Sequence, residues 1–165
     1  MATKLKNLSS YNKNNIAISN KINIGIVVSE WNETITDSLL KGCVETLKKH
    51  GVHSKNLNIQ YVPGSFELPL GAQFLIKSGN YDAIICLGCV IQGETRHFDF
   101  ICQAVSEGIT NTGLNNNIPV IFGLLTTNTL QQAKDRSGGK HGNKGVEAAV
   151  TALKMIELKK SLLKN

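Results

Sequence analysis

The stretch DAIICLGCVI, residues 82–91, is an almost unbroken apolar run that is followed by polar residues and a glycine. A run of this length is typical of a strand that is buried on both faces, as strands are in a parallel sheet. Similar stretches at 22–29, 57–62 and 118–125 predict three more strands. The four together indicate a sheet that is covered by helices on both sides.

Helical patterns lie between these strands and after the last of them. Strands that alternate with helices predict an α/β protein, a three-layer α/β/α sandwich with a four-stranded parallel, flavodoxin-like sheet. In such sheets ligands bind beyond the carboxyl ends of the strands, so candidate site residues should follow the strands directly. The predicted helices cover residues 33–50, 66–78, 93–111, 127–136 and 145–162.

The N-terminal residues differ from the rest of the chain. Residues 1–14 are polar and rich in Lys, Asn and Ser, which predicts a flexible arm. Ile16 and Ile18 alternate with polar or small neighbours and allow a short N-terminal edge strand. We therefore expect one domain, at 15–165, preceded by the arm at 1–14.

Composition excludes several classes of protein. The chain has 165 residues, of which 41% are hydrophobic and 18% are charged, a globular composition. No apolar run approaches the ~18 residues that a membrane-spanning helix needs, so we expect a cytoplasmic protein without a membrane partner. The formal net charge is +6, yet residues 22–157 carry 11 basic and 12 acidic side chains. The basic excess therefore lies at the two ends, which favours solubilising tails over a nucleic-acid partner.

Cys86 and Cys89 form a C-x-x-C pair, which in other settings marks redox or metal chemistry. Residues three apart on a strand point to opposite faces, so the two thiols should diverge. Nothing else in the sequence completes a zinc site, and we expect buried structural cysteines, no metal and no cofactor.

Two aromatic residues follow the first two strands. Trp31 and Asn32 come after the first strand, where Trp31 is either ordinary packing or a stacking platform for a planar ring. Ser65, Phe66 and Glu67 come after the second, where Ser65 is alternatively a plain helix N-cap. Aromatic residues at neighbouring strand ends favour a site for a flat heterocycle.

The remaining strand ends carry groups suited to phosphate and to proton transfer. Glu94 and Thr95 follow a glycine at a predicted helix start, where free amides bind anions. His97 stands beside them and can transfer protons near neutral pH. Arg136 precedes a glycine-rich stretch at 137–145 that suits phosphate or is simply a solvated turn. The sum is a site for a polar heterocycle and a phosphorylated partner.

Five collinear blocks within residues 16–158 resemble the 6,7-dimethyl-8-ribityllumazine synthase family. The blocks are EWN at 30–32, PGSFELP at 63–69, LGCVIQGETRHFD at 87–99, PVIFGLLTT at 119–127, and the segment from QA at 132–133 to GNKG at 142–145. The resemblance implies condensation of 5-amino-6-(D-ribitylamino)uracil with 3,4-dihydroxy-2-butanone 4-phosphate, without metal or redox cofactor.

The resemblance also implies roles for individual residues. His97 would donate protons, and Arg136 would pair with the phosphate. Phe122, Arg136 and Lys144 would come from a neighbouring subunit of a homo-oligomer, a pentamer or a 60-mer of twelve pentamers, of which we favour the 60-mer. The implied substrate-binding set is Trp31, Asn32, Ser65, Phe66, Glu67, Cys89, Val90, Ile91, Glu94, Thr95, Phe122, Arg136 and Lys144.

Three alternatives share the predicted sheet. A flavodoxin-like FMN-binding module would use the same aromatic edges but would not need Arg136. A non-catalytic scaffold would keep the fold alone, against which the set of Trp31, Glu67, His97 and Arg136 argues. An archaeal-type riboflavin synthase would dismutate two lumazines instead of using the butanone phosphate.

Overall fold

A four-stranded parallel sheet forms the centre of the molecule. The computed structural model describes residues 22–163, so the predicted arm at 1–14 and the possible edge strand at Ile16 and Ile18 lie outside the described residues. The strand order is β2-β1-β3-β4, and every pairing is parallel. The strands are β1 (Ile24–Ser29), β2 (Leu57–Val62), β3 (Ala83–Ile91) and β4 (Val120–Thr127).

Helices cover both faces of this sheet. On one face Ile26, Val28 and Leu87 pack with residues of the first and last helices, and on the other Val27 and Cys86 pack with those of the second and third. The predicted three-layer α/β/α sandwich is therefore confirmed. The helices are α1 (Glu33–Lys49), α2 (Leu68–Ser78), α3 (His97–Asn116), α4 (Leu130–Arg136) and α5 (Lys144–Leu162).

Several predicted boundaries were wrong by a few residues, for local reasons. The helix predicted from residue 93 begins at His97, with Arg96 as its N-cap, so 93–96 form a separate turn. The helix predicted from Thr127 begins at Leu130, because the Thr129 side chain accepts a hydrogen bond from the Gln132 amide and caps it. β4 therefore runs on to Thr127.

Two further segments also differ from their predictions. The helix predicted at 66–78 is divided into a 3-10 turn, Ser65–Glu67, and α2, which has a proline in its first turn. The glycine-rich stretch after Arg136 is not simply a loop but includes a small antiparallel hairpin, β5 (Ser137–Gly139) and β6 (Gly142–Asn143).

The GNKG block joins this hairpin to the helical layer. The Asn143 side-chain oxygen accepts from the amides of Gly145 and Val146, at 2.8 and 3.3 Å, and caps α5. Its Nδ2 donates to the Ser38 carbonyl at 2.9 Å and to the Ser137 carbonyl at 3.2 Å. A Cβ at position 145 would overlap the carbonyl oxygen of a residue in α1. The block thus fixes the segment that carries Arg136 and Lys144.

Candidate active site

A cavity of about 660 Å³ opens at the carboxyl ends of β1, β2 and β3. β1 pairs with β2 on one side and with β3 on the other. The cavity therefore lies at the switch point, where successive strands are added to opposite sides of β1. Its lining combines most of the residues predicted from the ends of these strands. The lining residues are Trp31, Asn32, Gly64, Ser65, Phe66, Glu67, Cys89, Val90, Ile91, His97 and Ile101.

Trp31 forms one wall of the cavity and is 73% exposed. The ordinary-packing interpretation of this residue is therefore wrong for the described part of the chain. The Trp31 amide donates to the Pro63 carbonyl at 3.2 Å, and the Glu30 amide donates to the Val62 carbonyl at 2.8 Å. These bonds extend the β1–β2 pairing and hold the indole next to the turn that follows β2.

The turn after β2 supplies a second part of the lining. Phe66 lines the cavity and is 56% exposed, and Glu67 is half-buried beside it. Ser65 is buried, and its Oγ has no hydrogen-bond partner among residues 22–163. Ser65 is therefore not a helix cap, which rules out the alternative interpretation of this residue.

The β3 end and its following loop supply the third side. Cys89, Val90 and Ile91 line the cavity, and His97 lies there as the first residue of α3. Residues 93–96 donate no backbone hydrogen bond within the described part of the chain, so their amides are available to an anion. Thr95 Oγ1 accepts from the His97 amide at 3.4 Å.

Glu94 and Thr95 lie on the exposed loop beside the cavity and are not part of its lining. Ile101 lines the cavity, and sequence analysis missed it. Its place in the lining could have been predicted from the sequence, because residues four apart on a helix share a face and His97 is four residues earlier.

Phe122, Arg136 and Lys144 lie away from this cavity. Phe122 and Lys144 line a separate groove of about 720 Å³ between α3, β4 and α5, where the Lys144 Nζ pairs with the Glu147 carboxylate at 3.0 Å. Arg136 ends α4, and within residues 22–163 its guanidinium has no ion pair or side-chain hydrogen bond. A single chain thus leaves these three predicted residues apart from the rest. The groove is the larger of the two concavities, but it lies away from the strand ends that supply the other predicted groups.

Both cysteines of the C-x-x-C pair are buried, and their thiols diverge, as the sequence predicts. Cys86 packs into the α2–α3 layer and Cys89 into the α1–α5 layer, so the thiols face opposite sides of β3. Burial raises the pKa of Cys86 to about 12 and that of Cys89 to about 11. No cluster of three or more His, Cys, Asp or Glu side chains within residues 22–163 could hold a metal ion.

Comparison with known proteins gives the family. The model of the 6,7-dimethyl-8-ribityllumazine synthase family matches residues 21–160. The chain belongs to this family. Lumazine synthases are transferases of riboflavin biosynthesis, so the chain is an enzyme. Members of the family form homo-oligomers.

Three curated lumazine synthases illustrate the similarity. The protein of Cytophaga hutchinsonii is 60% identical over 156 residues, which are 94% of this chain and 98% of the relative. The protein of Parabacteroides distasonis is 54% identical over the same length and the same shares. The protein of Phocaeicola vulgatus is 52% identical over 164 residues, 99% of this chain and 98% of the relative.

None of the helices at 22–163 has the length and apolar character needed to cross a membrane.

Proposed function

We propose that this chain condenses 5-amino-6-(D-ribitylamino)uracil with 3,4-dihydroxy-2-butanone 4-phosphate to give 6,7-dimethyl-8-ribityllumazine. The observation that supports this best is the lining of the cavity at the ends of β1, β2 and β3. Exposed aromatic rings, a carboxylate, strand-end backbone groups and an imidazole meet there, in a member of the lumazine synthase family.

The uracil ring binds between the aromatic walls. Trp31 stacks on the pyrimidine, since its indole is exposed and its backbone is tied to the neighbouring turn. Backbone groups of Cys89, Val90 and Ile91 contact the ring edge. Ser65 and Phe66 lie around the ring and the ribityl chain, and Glu67 accepts hydrogen bonds from the ribityl hydroxyls.

The butanone phosphate binds at the start of α3. The amides of the 93–96 turn are available, and a helix N-terminus favours a negative charge. Glu94 and Thr95 form this subsite, and His97, whose amide donates to Thr95 Oγ1, lines the adjoining cavity. The guanidinium of Arg136 from a neighbouring copy pairs with the phosphate, since within residues 22–163 it has no partner of its own.

The chemistry consists of one condensation, one elimination and one ring closure. The uracil's amine attacks the ketone, and water leaves to give an imine. Phosphate is then eliminated, and ring closure expels a second water. His97 transfers protons in these steps. Much of the acceleration comes from holding the two substrates together, which can contribute ~7–11 kcal/mol.

The complete site needs a second copy of the chain. Phe122, Arg136 and Lys144 lie away from the cavity of their own chain, and we place them at the cavity of a neighbour. We propose pentamers, with twelve pentamers in a closed shell, in the cytoplasm and without a nucleic-acid partner. The Ser137–Asn143 connection has no insertion, which resembles the shell-forming members of the family and supports the shell. Light scattering should give the mass of sixty chains, and the mass of five chains would refute the shell.

A two-substrate assay tests the proposed reaction. Purified protein is mixed with the ribitylaminouracil and the butanone phosphate, and lumazine fluorescence is followed. Product should require both substrates and the protein. Product absent with folded protein and verified substrates would refute the reaction. A yellow protein that retains FMN would favour the electron-transfer module, and conversion of lumazine alone would favour a riboflavin synthase.

A further inference from the structure

Asp135 is an acid near the C-terminal end of α4, where a negative charge is unfavourable. The free carbonyl groups at a helix C-terminus carry partial negative charge, so cations stabilise this end and acids destabilise it. Lys134 and Arg136 follow this rule, but Asp135 lies between them as the penultimate residue of the helix. Its side chain is nevertheless only 13% exposed. The position of Asp135 therefore needs an explanation other than the stability of α4.

Two side chains contact the Asp135 carboxylate. The Gln131 Nε2, one turn earlier in α4, donates to Oδ1 at 3.0 Å. The Lys140 Nζ, from the turn of the β5–β6 hairpin, lies 3.1 Å from Oδ2. The hydrogen bonds from Gln131 and then from Lys140 hold the pKa of the Asp135 carboxyl below its usual value. The carboxylate thus joins the helix to the hairpin through its charge.

The backbone of the hairpin packs against the same end of α4. The His141 amide donates to the Asp135 carbonyl at 2.8 Å. A Cβ at Gly139 would lie 2.8 Å from the Asp135 Cα and 2.8 Å from the Lys134 carbonyl oxygen. β5 therefore lies so close to the helix end that position 139 has no room for a side chain, and the Asp135–Lys140 ion pair spans this contact.

Arg136 lies between two residues that are fixed in place, Asp135 and Ser137. The Ser137 carbonyl accepts hydrogen bonds from side chains of α1 and of the GNKG block. The Arg136 guanidinium has no ion pair in the described part of the chain, although the residue before it is a carboxylate. Because Lys140 and Gln131 occupy that carboxylate, the guanidinium is left for an external anion.

We propose that the Asp135–Lys140 ion pair positions Arg136 for the phosphate of the substrate. The pair holds the β5–β6 hairpin on the end of α4, and it keeps the Asp135 carboxylate from competing with the phosphate for the guanidinium. Neither residue touches the substrate, and both act through Arg136. The identity of the anion rests on the proposed function, whereas the hold on the hairpin does not.

Substitutions of two lysines test the kinetic part. Lys140→Gln breaks the ion pair, and Lys140→Arg keeps it. Lys134→Gln is the matched control, because it removes the same charge from the same helix end and Lys134 has no ion pair within residues 22–163. We expect Lys140→Gln to raise KM for the butanone phosphate about three- to fivefold, the effect of a partly exposed ion pair, with kcat and KM for the uracil within about 1.5-fold. Lys140→Arg and Lys134→Gln should keep the wild-type values.

A double substitution tests whether the two residues act as a pair. Asp135→Asn also breaks the ion pair but keeps an oxygen that can accept from Gln131. In the double variant the rise in KM for the butanone phosphate should be no larger than in Lys140→Gln alone, because one interaction can be lost only once. The proposal would be overturned by a KM within about 1.5-fold of wild type in Lys140→Gln, by an equal rise in Lys134→Gln, or by a double variant in which the two single effects multiply.

Hydrogen exchange tests the hold on the hairpin without any substrate. The His141 amide, which donates to the Asp135 carbonyl, should exchange faster in Lys140→Gln and Asp135→Asn than in wild type, and at the wild-type rate in Lys134→Gln. Unchanged exchange in both variants of the pair would overturn the positioning role. If wild-type protein makes no lumazine, the proposed reaction fails, and this measurement still decides whether the pair holds the hairpin.

Discussion

Trp31 and Phe66 remain mostly exposed, at 73% and 56%, although burying an aromatic side chain usually stabilises a fold by about 1.5–3 kcal/mol. Both rings line the same cavity. A backbone hydrogen bond from the Trp31 amide to the Pro63 carbonyl joins the two segments that carry them. Residues that depart from the usual burial pattern often mark functional positions. Their exposure therefore supports a planar ligand between them.

His97 is the residue whose removal should affect chemistry more than binding. In His97→Ala we expect kcat to fall by about a hundredfold without loss of all activity, because proton transfer is impaired while substrate positioning remains. Steady-state kinetics measures this. His53→Ala is the matched control, since His53 is exposed and precedes β2 at the opposite edge of the sheet. A His97→Ala enzyme with the wild-type kcat would remove the assigned role.

Sequence alone predicts the residue types of the cavity better than their contacts. Trp31, Phe66 and His97 follow predicted strands, so their arrival at one edge follows from the topology. The left-handed backbone of Asn32 and its bond to Cys89 depend on where β1 and β3 separate, and no local pattern records that.

At the scale of the structural elements, α5 packs closely against α1 at Gly145. A Cβ there would overlap the Leu39 carbonyl oxygen, which is backbone and cannot rotate away. We expect Gly145→Ala to lower the free energy of unfolding by about 3 kcal/mol. Denaturant unfolding measures this, with Gly79→Ala as the control, because a Cβ at Gly79 would meet only ordinary contacts. Equal stability of the two variants would contradict the packing argument.

The alternation of side chains along β3 separates its two cysteines, Cys86 and Cys89. The thiols face opposite layers, and burial raises the pKa of Cys86 to about 12 and of Cys43 to about 12. Because a raised pKa leaves little thiolate near pH 8, we expect iodoacetamide to leave Cys86 and Cys43 unlabelled in native protein. In denaturant it should label them. Mass spectrometry reads out the labelling. Native labelling of Cys86 at the denatured rate, or a Cys86–Cys89 disulfide, would contradict this.

The elements themselves are predictable from periodicity, and their ends are less so. The apolar run before Gln92 predicts β3 to within one residue, because burial on both faces leaves an unmistakable pattern. The start of α3 at His97 and of α4 after Thr129 depend on turn and cap geometry. Such geometry is set by single hydrogen bonds, which the apolar pattern does not encode.

At the scale of the whole molecule, the three layers follow from the alternation of strands and helices. The strand order β2-β1-β3-β4 depends on which side of β1 each crossover takes, and this is not contained in local periodicity. The separation of Arg136 from the cavity is also a property of the whole fold. It leaves the Arg136 guanidinium partly exposed and without an ion pair within residues 22–163.

The measurement that tests the shared site most directly uses two inactivated versions of the chain in one assembly. Arg136→Ala should lose most activity because the phosphate loses its guanidinium, and His97→Ala should lose most of kcat. When equal amounts of the two are co-assembled, about one quarter of the sites should combine an intact His97 from one copy with an intact Arg136 from the next.

The assay is lumazine formation from both substrates by the purified mixed particles, compared with particles of each variant alone. We predict that the mixed particles recover about a quarter of the wild-type rate, well above either variant. Activity of the mixed particles equal to the average of the two variants would contradict a site that joins the cavity of one copy to Arg136 of another.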